Sequence, residues 1–413
     1  MRVCWISVSD ELGGSEVALV EMVRGLRLVR PSWILHAILP GDGPLGECLA
    51  RAGASCSVVR LPPVLARVGE SRAIGEQWSL VARLALALRL AAASAALPGY
   101  ERRLRRAVRS FDPDLVHTNG LKAHVLAARL GNRRHALVWH LHEYVSGRRL
   151  TRALLRRYAP RCRAVVANSA SVAADASSIF AAAPPILVVH NSVDLDVFAP
   201  TGPVLDLDRL AGLDPAPGAV RVGLVATFAR WKGHEVFLEA LRRVLDVTTQ
   251  PVRGYIVGGP LYDTAGSQFT RAELERRIAS AGLASRVGLT GFVDAAAALR
   301  SLDVVVHAST EPEPFGLVIA EAMACGRAVI STAHGGAAEV IEPERDALVA
   351  APGDPAGLAA AVLRLVTDPE LRAALGARAR ASAVERFAPR RMAAQLAGLY
   401  EQLIGAPTSV ATP

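Results

Sequence analysis

Along this chain, short apolar runs alternate with longer stretches whose apolar residues recur every three or four positions. Runs of the first kind read as buried strands, and stretches of the second kind as amphipathic helices. In the first half, strands are expected at 3–8, 34–39, 57–60, 115–117, 137–140, 164–167 and 187–190. Helices are expected from Gly13-Gly14-Ser15-Glu16 to Leu28, from the 41–46 turn to Ala52, and over 72–110, with leucines at 80, 84, 88 and 97. Residues 199–219 are dense in Pro and Gly and read as a linker. The rhythm then restarts, with strands at 222–226, 253–257, 287–290, 304–307, 328–331 and 347–350, and helices from His234, from Thr270 and around Glu321.

Strands separated by helices make a parallel sheet with right-handed crossovers. The fold class expected is therefore α/β, with two doubly wound Rossmann-like domains facing across a cleft. The first covers 1–200 and the second 201–385. Residues 386–413 hold a helix crossing back towards the first domain and a tail that frays from Pro407. Ligands of such domains bind outside the carboxyl ends of the strands.

Composition narrows the class. At 413 residues and 51% hydrophobic content, two packed cores are expected and disorder is not. No charge-free run of 18 apolar residues occurs, so no membrane span is expected. The start at Met1 reads as a first buried strand, not a signal peptide. The five cysteines (Cys4, Cys48, Cys56, Cys162, Cys325) form no CxxC pair, which favours a reduced, cytoplasmic protein without structural zinc.

The formal charge of +9 is uneven: residues 1–200 carry +11 and the remainder −2. The positives gather at 101–106 and 148–163. Nucleic acid is not the expected partner, because the aromatics that stacking requires are scarce. A solvated helix face is one reading, and attraction to anionic lipid head groups or an anionic acceptor is the other. Of the 47 basic residues only Lys122 and Lys232 are lysines. Each is a candidate for a compact ammonium that the planar fork of Arg does not mimic.

The richest stretch runs from Glu311-Pro-Glu313-Pro-Phe315-Gly316-Leu317 to Glu321 and Gly326. An apolar strand leads into a Pro- and Gly-rich turn that opens a helix. Glu313 stands before that helix and Glu321 inside it. The helix start offers backbone N–H groups and the positive dipole end, a setting for phosphate. Carboxylates beside it suit hydroxyl groups, and an anion with many hydroxyls describes a sugar nucleotide. Lys232 follows the first strand of the second domain, where a cation would neutralise a diphosphate leaving group.

Other patterns are weaker. Gly41-x-Gly43-x-x-Gly46 follows the second strand and contains Pro44, so it reads as an ordinary loop, not a dinucleotide fingerprint. The pairs Asp112/Asp114, Asp194/Asp196 and Asp206/Asp208 read as turn and capping residues. Alternation puts His140 and His142 on one face at a strand end. A third metal ligand is not evident, so hydrogen bonding at the cleft is expected of them and no metal site is assigned.

In this order, the motifs resemble the family 4 retaining glycosyltransferases of the GT-B fold, over nearly the whole chain. The family's Glu-x7-Glu signature is met by Glu313 and Glu321. Gly-Gly-Ser-Glu after the first strand, Val-His117-Thr-Asn119, Trp-His140-Leu-His142 and His-Asn191-Ser-Val-Asp194 add to it, as do Trp-Lys232-Gly, Val-Gly258-Gly259-Pro, Gly291-Phe-Val-Asp and Gly335-Gly336-x-x-Glu339. Three positions depart from the pattern: Thr227 stands where a diphosphate-binding Arg is common, Ser192 where Gly is usual, and Arg327-Ala328 where Thr/Arg-Pro is common.

The resemblance implies transfer of a sugar, with retention, from a UDP- or GDP-linked donor to a hydroxyl of a glycan, glycolipid or natural product. No cofactor or metal is implied. Glu313, Lys232 and His140 would be catalytic. Glu321, Phe315, Gly316, Leu317, Arg230, Gly258 and Gly14 would hold the donor, with Arg230 the nearest substitute for the missing Arg. His117, Asn119 and Lys122 would lie on the acceptor side. The basic first domain and the Leu-rich stretch 80–97 are compatible with peripheral contact at the inner membrane face. A sugar-nucleotide 2-epimerase of the same fold, and a non-catalytic sugar-nucleotide-binding protein, are the alternative readings.

Overall fold

The structure is a computed structural model that describes residues 1–66, 80–131, 134–180, 184–261 and 266–405. The chain divides into two compact units, Met1–Ser192 with Pro389–Pro413, and Val193–Ala388.

The first unit is built on strands β1 (Arg2–Ser7), β2 (Ile34–Leu39), β3 (Ser55–Val58), β4 (Leu115–Asn119), β5 (Ala136–Leu141), β6 (Ala164–Ala167) and β7 (Ile186–Val188). They form one parallel sheet in the order β3-β2-β1-β4-β5-β6-β7. Strands buried on both faces, such as β5, read as unbroken apolar runs because helices cover both sides. The order reverses between β1 and β4, which opens a crevice at their carboxyl ends. Helix Gly14–Val29 follows β1 and helix Leu121–Arg129 follows β4.

The second unit holds β8 (Val220–Val225), β9 (Val252–Val257), β10 (Val287–Gly291), β11 (Val304–His307), β12 (Ala328–Ser331) and β13 (Leu348–Val349). Its parallel sheet runs β10-β9-β8-β11-β12-β13, so the reversal lies between β8 and β11. Val304, Val305 and Val306 of β11 are all buried, between β8 and β12. The β-branched run suits a central strand packed on both faces. Helix His234–Val247 follows β8, and helix Leu317–Ala324 follows β11.

Several expectations are corrected. The second unit starts at Val193, not 201, and ends at Ala388, not 385. The Pro- and Gly-rich stretch 199–219 is not a spacer. Leu207 is buried within a short helix, Leu207–Leu210, and Asp208 accepts from the Tyr255 hydroxyl at 2.6 Å. Leu205 N–H donates to Ser301 Oγ at 2.7 Å, so the prolines and glycines shape turns that pack on the unit. Strand β3 lies two residues earlier than expected, pinned by pairing of His36 with Ser55 and Leu39 with Val58. The long helix spans Leu80–Phe111; the expected turns at 72–79 and the tail from Pro407 lie outside the described residues.

Of the last helices, Pro355–Thr367 and Pro369–Arg386 belong to the second unit, and Pro389–Gly405 belongs to the first. Tyr400 of that last helix is fully buried in the first unit's core beside Trp33, their rings stacked at 6.1 Å.

Candidate functional site

In the second unit the chemistry converges at the carboxyl ends of β8 and β11. After β8 the chain makes a 3-10 turn, Arg230–Lys232, before helix His234–Val247. Gly233 joins them at φ 78°, in the left-handed region, and a Cβ there would lie 1.9 Å from the Ala308 carbonyl oxygen. Only glycine permits this approach. Trp231 O accepts from Thr310 N–H at 2.8 Å and from Thr310 Oγ1 at 3.2 Å. The loops after β8 and β11 are thereby tied together, and this sets Lys232 beside Glu313.

Lys232 Nζ lies 2.6 Å from Glu313 Oε2, with side-chain exposures of 18% and 11%. The same carboxylate oxygen accepts from Ser309 Oγ at 3.1 Å and stands 3.2 Å from His307 Nε2. Because an ionised carboxylate only accepts, His307 carries a hydrogen on Nε2 and donates it to Glu313. Its Nδ1 lies 3.3 Å from Ser331 Oγ, which accepts from Ala333 N–H at 3.1 Å. Burial pushes the Glu313 carboxyl up, but the Lys232 ammonium and the His307 hydrogen bond outweigh this and hold it at about 2. Its backbone is fixed as well, by Glu313 N–H to His334 O at 3.0 Å and Gly336 N–H to Glu313 O at 2.7 Å. Glu313 is a fixed anion that accepts hydrogen bonds from hydroxyl groups.

Sequence reasoning missed His307 and Ser309. A histidine closing a valine strand at the sheet's reversal point was the available signal.

Other expected residues stand nearby. Gly316 takes the left-handed conformation and caps helix Leu317–Ala324, in which Glu321 lies half-buried. The Phe315 side chain is buried and packs edge-on against Phe387, so only its backbone faces the helix start. Gly258 follows β9, its backbone against Ala226, where a Cβ would lie 2.2 Å from the carbonyl oxygen. Arg230 points elsewhere: its guanidinium pairs with Glu273 at 3.1 Å, donates to Gly266 O and stacks 4.2 Å over Phe269. It is not brought to Lys232.

In the first unit the corresponding strand ends carry imidazoles. Ser7, Asn119 and His140 stand side by side across β1, β4 and β5. His140 and His142 stack at 4.0 Å, as alternation predicts. Asn119 links elements that the sequence left apart: Oδ1 accepts from His142 Nε2 at 2.7 Å, and Nδ2 donates to Ser15 O at 3.2 Å. Because a carbonyl oxygen only accepts, both the amide orientation and the Nε2–H tautomer of His142 follow.

His140 is 1% exposed, and neither ring nitrogen has a partner among the described residues. Burial pulls His142 down to about 4 and His117 to about 3, and holds His124 and His140 well below the ordinary imidazole value. All four are neutral at pH 7.

His117 is fully buried, and its Nδ1 bonds to the Tyr400 hydroxyl at 2.6 Å. It supports the first unit's core instead of meeting an acceptor. Lys122 Nζ donates to Ala66 O and ties helix Leu121–Arg129 to helix Pro63–Ala66. Gly14 is the first residue of helix Gly14–Val29, with open space where a Cβ would stand.

The three Asp-x-Asp pairs are used in turns, caps and packing. Asp206 caps Leu207–Leu210, Asp194 accepts from two following N–H groups, and Asp114 accepts from Arg2 N–H. Among the described residues no group of three His, Cys, Asp or Glu is arranged to hold a metal ion.

A family model described as Glycosyl transferases group 1 matches residues 219–368, and one described as Glycosyltransferase Family 4 matches residues 45–197. The lipopolysaccharide core biosynthesis mannosyltransferase LpsB of Rhizobium meliloti is 30% identical over 247 residues, which covers 59% of this chain and 67% of that protein. The D-inositol 3-phosphate glycosyltransferase of Corynebacterium jeikeium is 30% identical over 228 residues, 53% of this chain and 52% of that one. The chain thus spans about half to two thirds of the length of these relatives. HepE of Anabaena, solved in complex with UDP, superposes with a TM-score of 0.75 at 25% identity, covering 97% of this chain and 100% of that one.

Proposed function

From the premise that the chain belongs to glycosyltransferase family 4, we propose that it moves a sugar, with retention, from a UDP- or GDP-linked donor to a hydroxyl of a glycan, glycolipid or natural product. The observation that carries this reading is the Lys232–Glu313 pair at the reversal point of the second sheet, desolvated and clamped by backbone on both sides. The UDP bound by HepE, a fold relative at 25% identity, supports a nucleoside diphosphate as the leaving group.

Each residue then has a defined role. Glu313, held ionised, accepts from hydroxyls of the donor sugar, and Glu321 accepts from the ribose. Lys232 and the first N–H groups of helix Leu317–Ala324, at Gly316 and Leu317, bear on the diphosphate. Negative charge builds on the leaving phosphate as the bond from the anomeric carbon to its oxygen breaks. A fixed ammonium and fixed dipoles stabilise that charge without reorganising. The acceptor oxygen bonds to the same face of that carbon, and its proton passes to the departing phosphate oxygen. His140 orients the sugar, and Asn119, through Ser15 and His142, holds the Gly13-Gly14 turn in place. This scheme assigns the charge stabilisation to protein groups and calls for no metal, so a chelator should leave the rate unchanged.

The test is a panel of nucleoside-diphosphate sugars, read by thermal stabilisation and by product formation with and without acceptor. Stabilisation by one donor and glycoside formation only with acceptor are expected. Conversion of the donor alone would instead identify an epimerase, and stabilisation without any product a binding protein.

A further inference from the structure

At the amino ends of β11 and β12, the end of the second sheet opposite the candidate site, lies a cavity of about 620 Å³. Asp303 and Arg327, the residues just before the two strands, line it. Helix Pro369–Arg386 closes it with Arg372, Ala373, Gly376 and Arg380. Arg372, Gly376 and Arg380 are spaced four apart and so share one face of that helix. A Cβ at Gly376 would lie 2.4 Å from the Gly326 carbonyl oxygen, so glycine there lets the helix press against the turn that leads into β12.

Three guanidiniums line this cavity against one carboxylate. All three arginines are half-buried, and neutral carbonyls hold them. Arg380 Nη1 donates to Ala324 O at 2.7 Å and to Phe198 O at 2.9 Å. Arg327 Nε donates to Cys325 O at 3.0 Å, and Arg372 Nη1 donates to Leu365 O. Carbonyls fix where a guanidinium stands but leave its charge uncancelled. Among the described residues none of the three pairs with a carboxylate, whereas more exposed arginines of the same unit do, as Arg364 does with Glu344 at 2.9 Å. Burial pushes the Cys325 thiol up, and Arg300, Arg327 and Arg380 oppose that push, so their positive potential converges at the end of helix Leu317–Ala324. Asp303 Oδ2 accepts from Arg221 N–H at 2.7 Å, and its carboxylate makes no ion pair among the described residues. Half-buried cations held in place and left unpaired are a preformed receptor for an anion.

We propose that this cavity binds a small phosphate ester, such as a sugar phosphate, at a site separate from the donor's. The guanidinium fork matches phosphate oxygens two by two. Asp303 adds a carboxylate that bare phosphate has no use for and that accepts from a ligand hydroxyl. The volume suits a ligand of this size. Helix Leu317–Ala324, eight residues long, runs from the candidate site, where its first N–H groups lie, to the cavity, where Arg380 holds the carbonyl of its last residue. The two places are thus distinct, about 12 Å apart along one helix.

Glucose 6-phosphate is titrated into the full-length chain by calorimetry, beside inorganic phosphate and glucose. Glucose 6-phosphate should bind at one site per chain, about five-fold or more tighter than inorganic phosphate, and glucose should give no heat. Arg372→Gln should weaken binding about ten-fold. Ala373→Glu sets a carboxylate at an exposed helix position, removes no hydrogen bond and should weaken binding by about as much or more. Unfolding temperature in the absence of ligand checks that both variants fold as the parent does. Lys232→Ala, at the candidate site, should leave this binding unchanged. No binding of glucose 6-phosphate, or binding indifferent to both Arg372→Gln and Ala373→Glu, would overturn the proposal. So would loss of binding in Lys232→Ala alone, which would move the anion to the candidate site, or equal affinity for inorganic phosphate, which would leave Asp303 without a ligand hydroxyl.

Discussion

The two sheets reverse their strand order in the same way, yet they place opposite chemistry at the reversal. At β8 and β11 the second unit sets a cation, an anion, an imidazole and two hydroxyls, with Glu313 Oε2 taking three donors. At β1, β4 and β5 the first unit sets buried neutral imidazoles, several of whose ring nitrogens have no partner among the described residues. One end is a fixed cluster of charges. The other is a cluster of buried, neutral imidazoles. The lesson is that a shared reversal of strand order fixes where a site forms but leaves its charge to the residues at the strand ends and loops.

The sharpest way to break this comparison is to remove the charged pair. Lys232→Ala or Glu313→Ala should lower transfer about a thousand-fold or more in steady-state kinetics. Each leaves the other charge poorly paired, so a stability loss of about 3 kcal/mol by urea unfolding should accompany it. The same truncations leave the first unit's hydrogen-exchange protection unchanged. Full activity in both variants would refute the role given to the pair.

Acid should separate the units next. His117, His124, His140 and His142 bind protons less well folded than unfolded, so the unfolded state gains protons first. Stability of the first unit should therefore fall as pH drops below about 6.5, by up to about 5 kcal/mol per pH unit if all four act together. The decline ends only near the folded values, about 4 for His142 and about 3 for His117. Glu313 acts in a lower window. Its folded value is depressed from 4.5 to about 2, so its contribution is intact above 4.5 and lost between there and 2. The second unit has one comparable imidazole, His234, pulled down to about 4. Hydrogen exchange by mass spectrometry at pH 5 should show β4 and β5 opening before β8 and β11, and simultaneous opening would remove the contrast.

A smaller effect is expected at Asn119→Leu, which cuts the bridge from His142 to Ser15. KM for the acceptor should rise about ten-fold, with donor-induced stabilisation unchanged. The smallest belongs to Arg230→Ala. Its guanidinium is already committed to Glu273 and Phe269, so donor affinity should change less than about three-fold by calorimetry. A large loss there would mean that Arg230 swings across to take the place of the Arg absent at Thr227.

Much of this was legible in the chain. Strands β6, β11 and β12 fall where the apolar runs put them, because a strand buried on both faces leaves an unbroken signature, and β2 falls where its run lies although His36 interrupts it. The helix from Thr270 begins where a capping box, Thr270 with Glu273, announces it. The 199–219 stretch misled because Pro and Gly mark turns whether or not those turns pack on a core. At the site, Lys232 and Glu313 were readable as residue types at strand ends. Their partners were not, since His307, Ser309 and Thr310 act through a tertiary contact between two loops. Arg230 shows the converse: proximity in sequence to Lys232 said nothing about direction, which a stacked phenylalanine and a glutamate decide.

The helix Pro389–Gly405 completes the first unit although it is joined to the end of the second. The second unit is thus an insertion, spliced into the first between Ser192 and Pro389. A chain emerging from the ribosome exposes everything needed for Val193–Ala388 before Tyr400 arrives to cover His117. The order of synthesis therefore favours the second unit folding first, while the histidine-lined first unit waits with an uncovered core. Slowing or truncating translation after Ala388 would leave a finished second unit tethered to an unfinished first one.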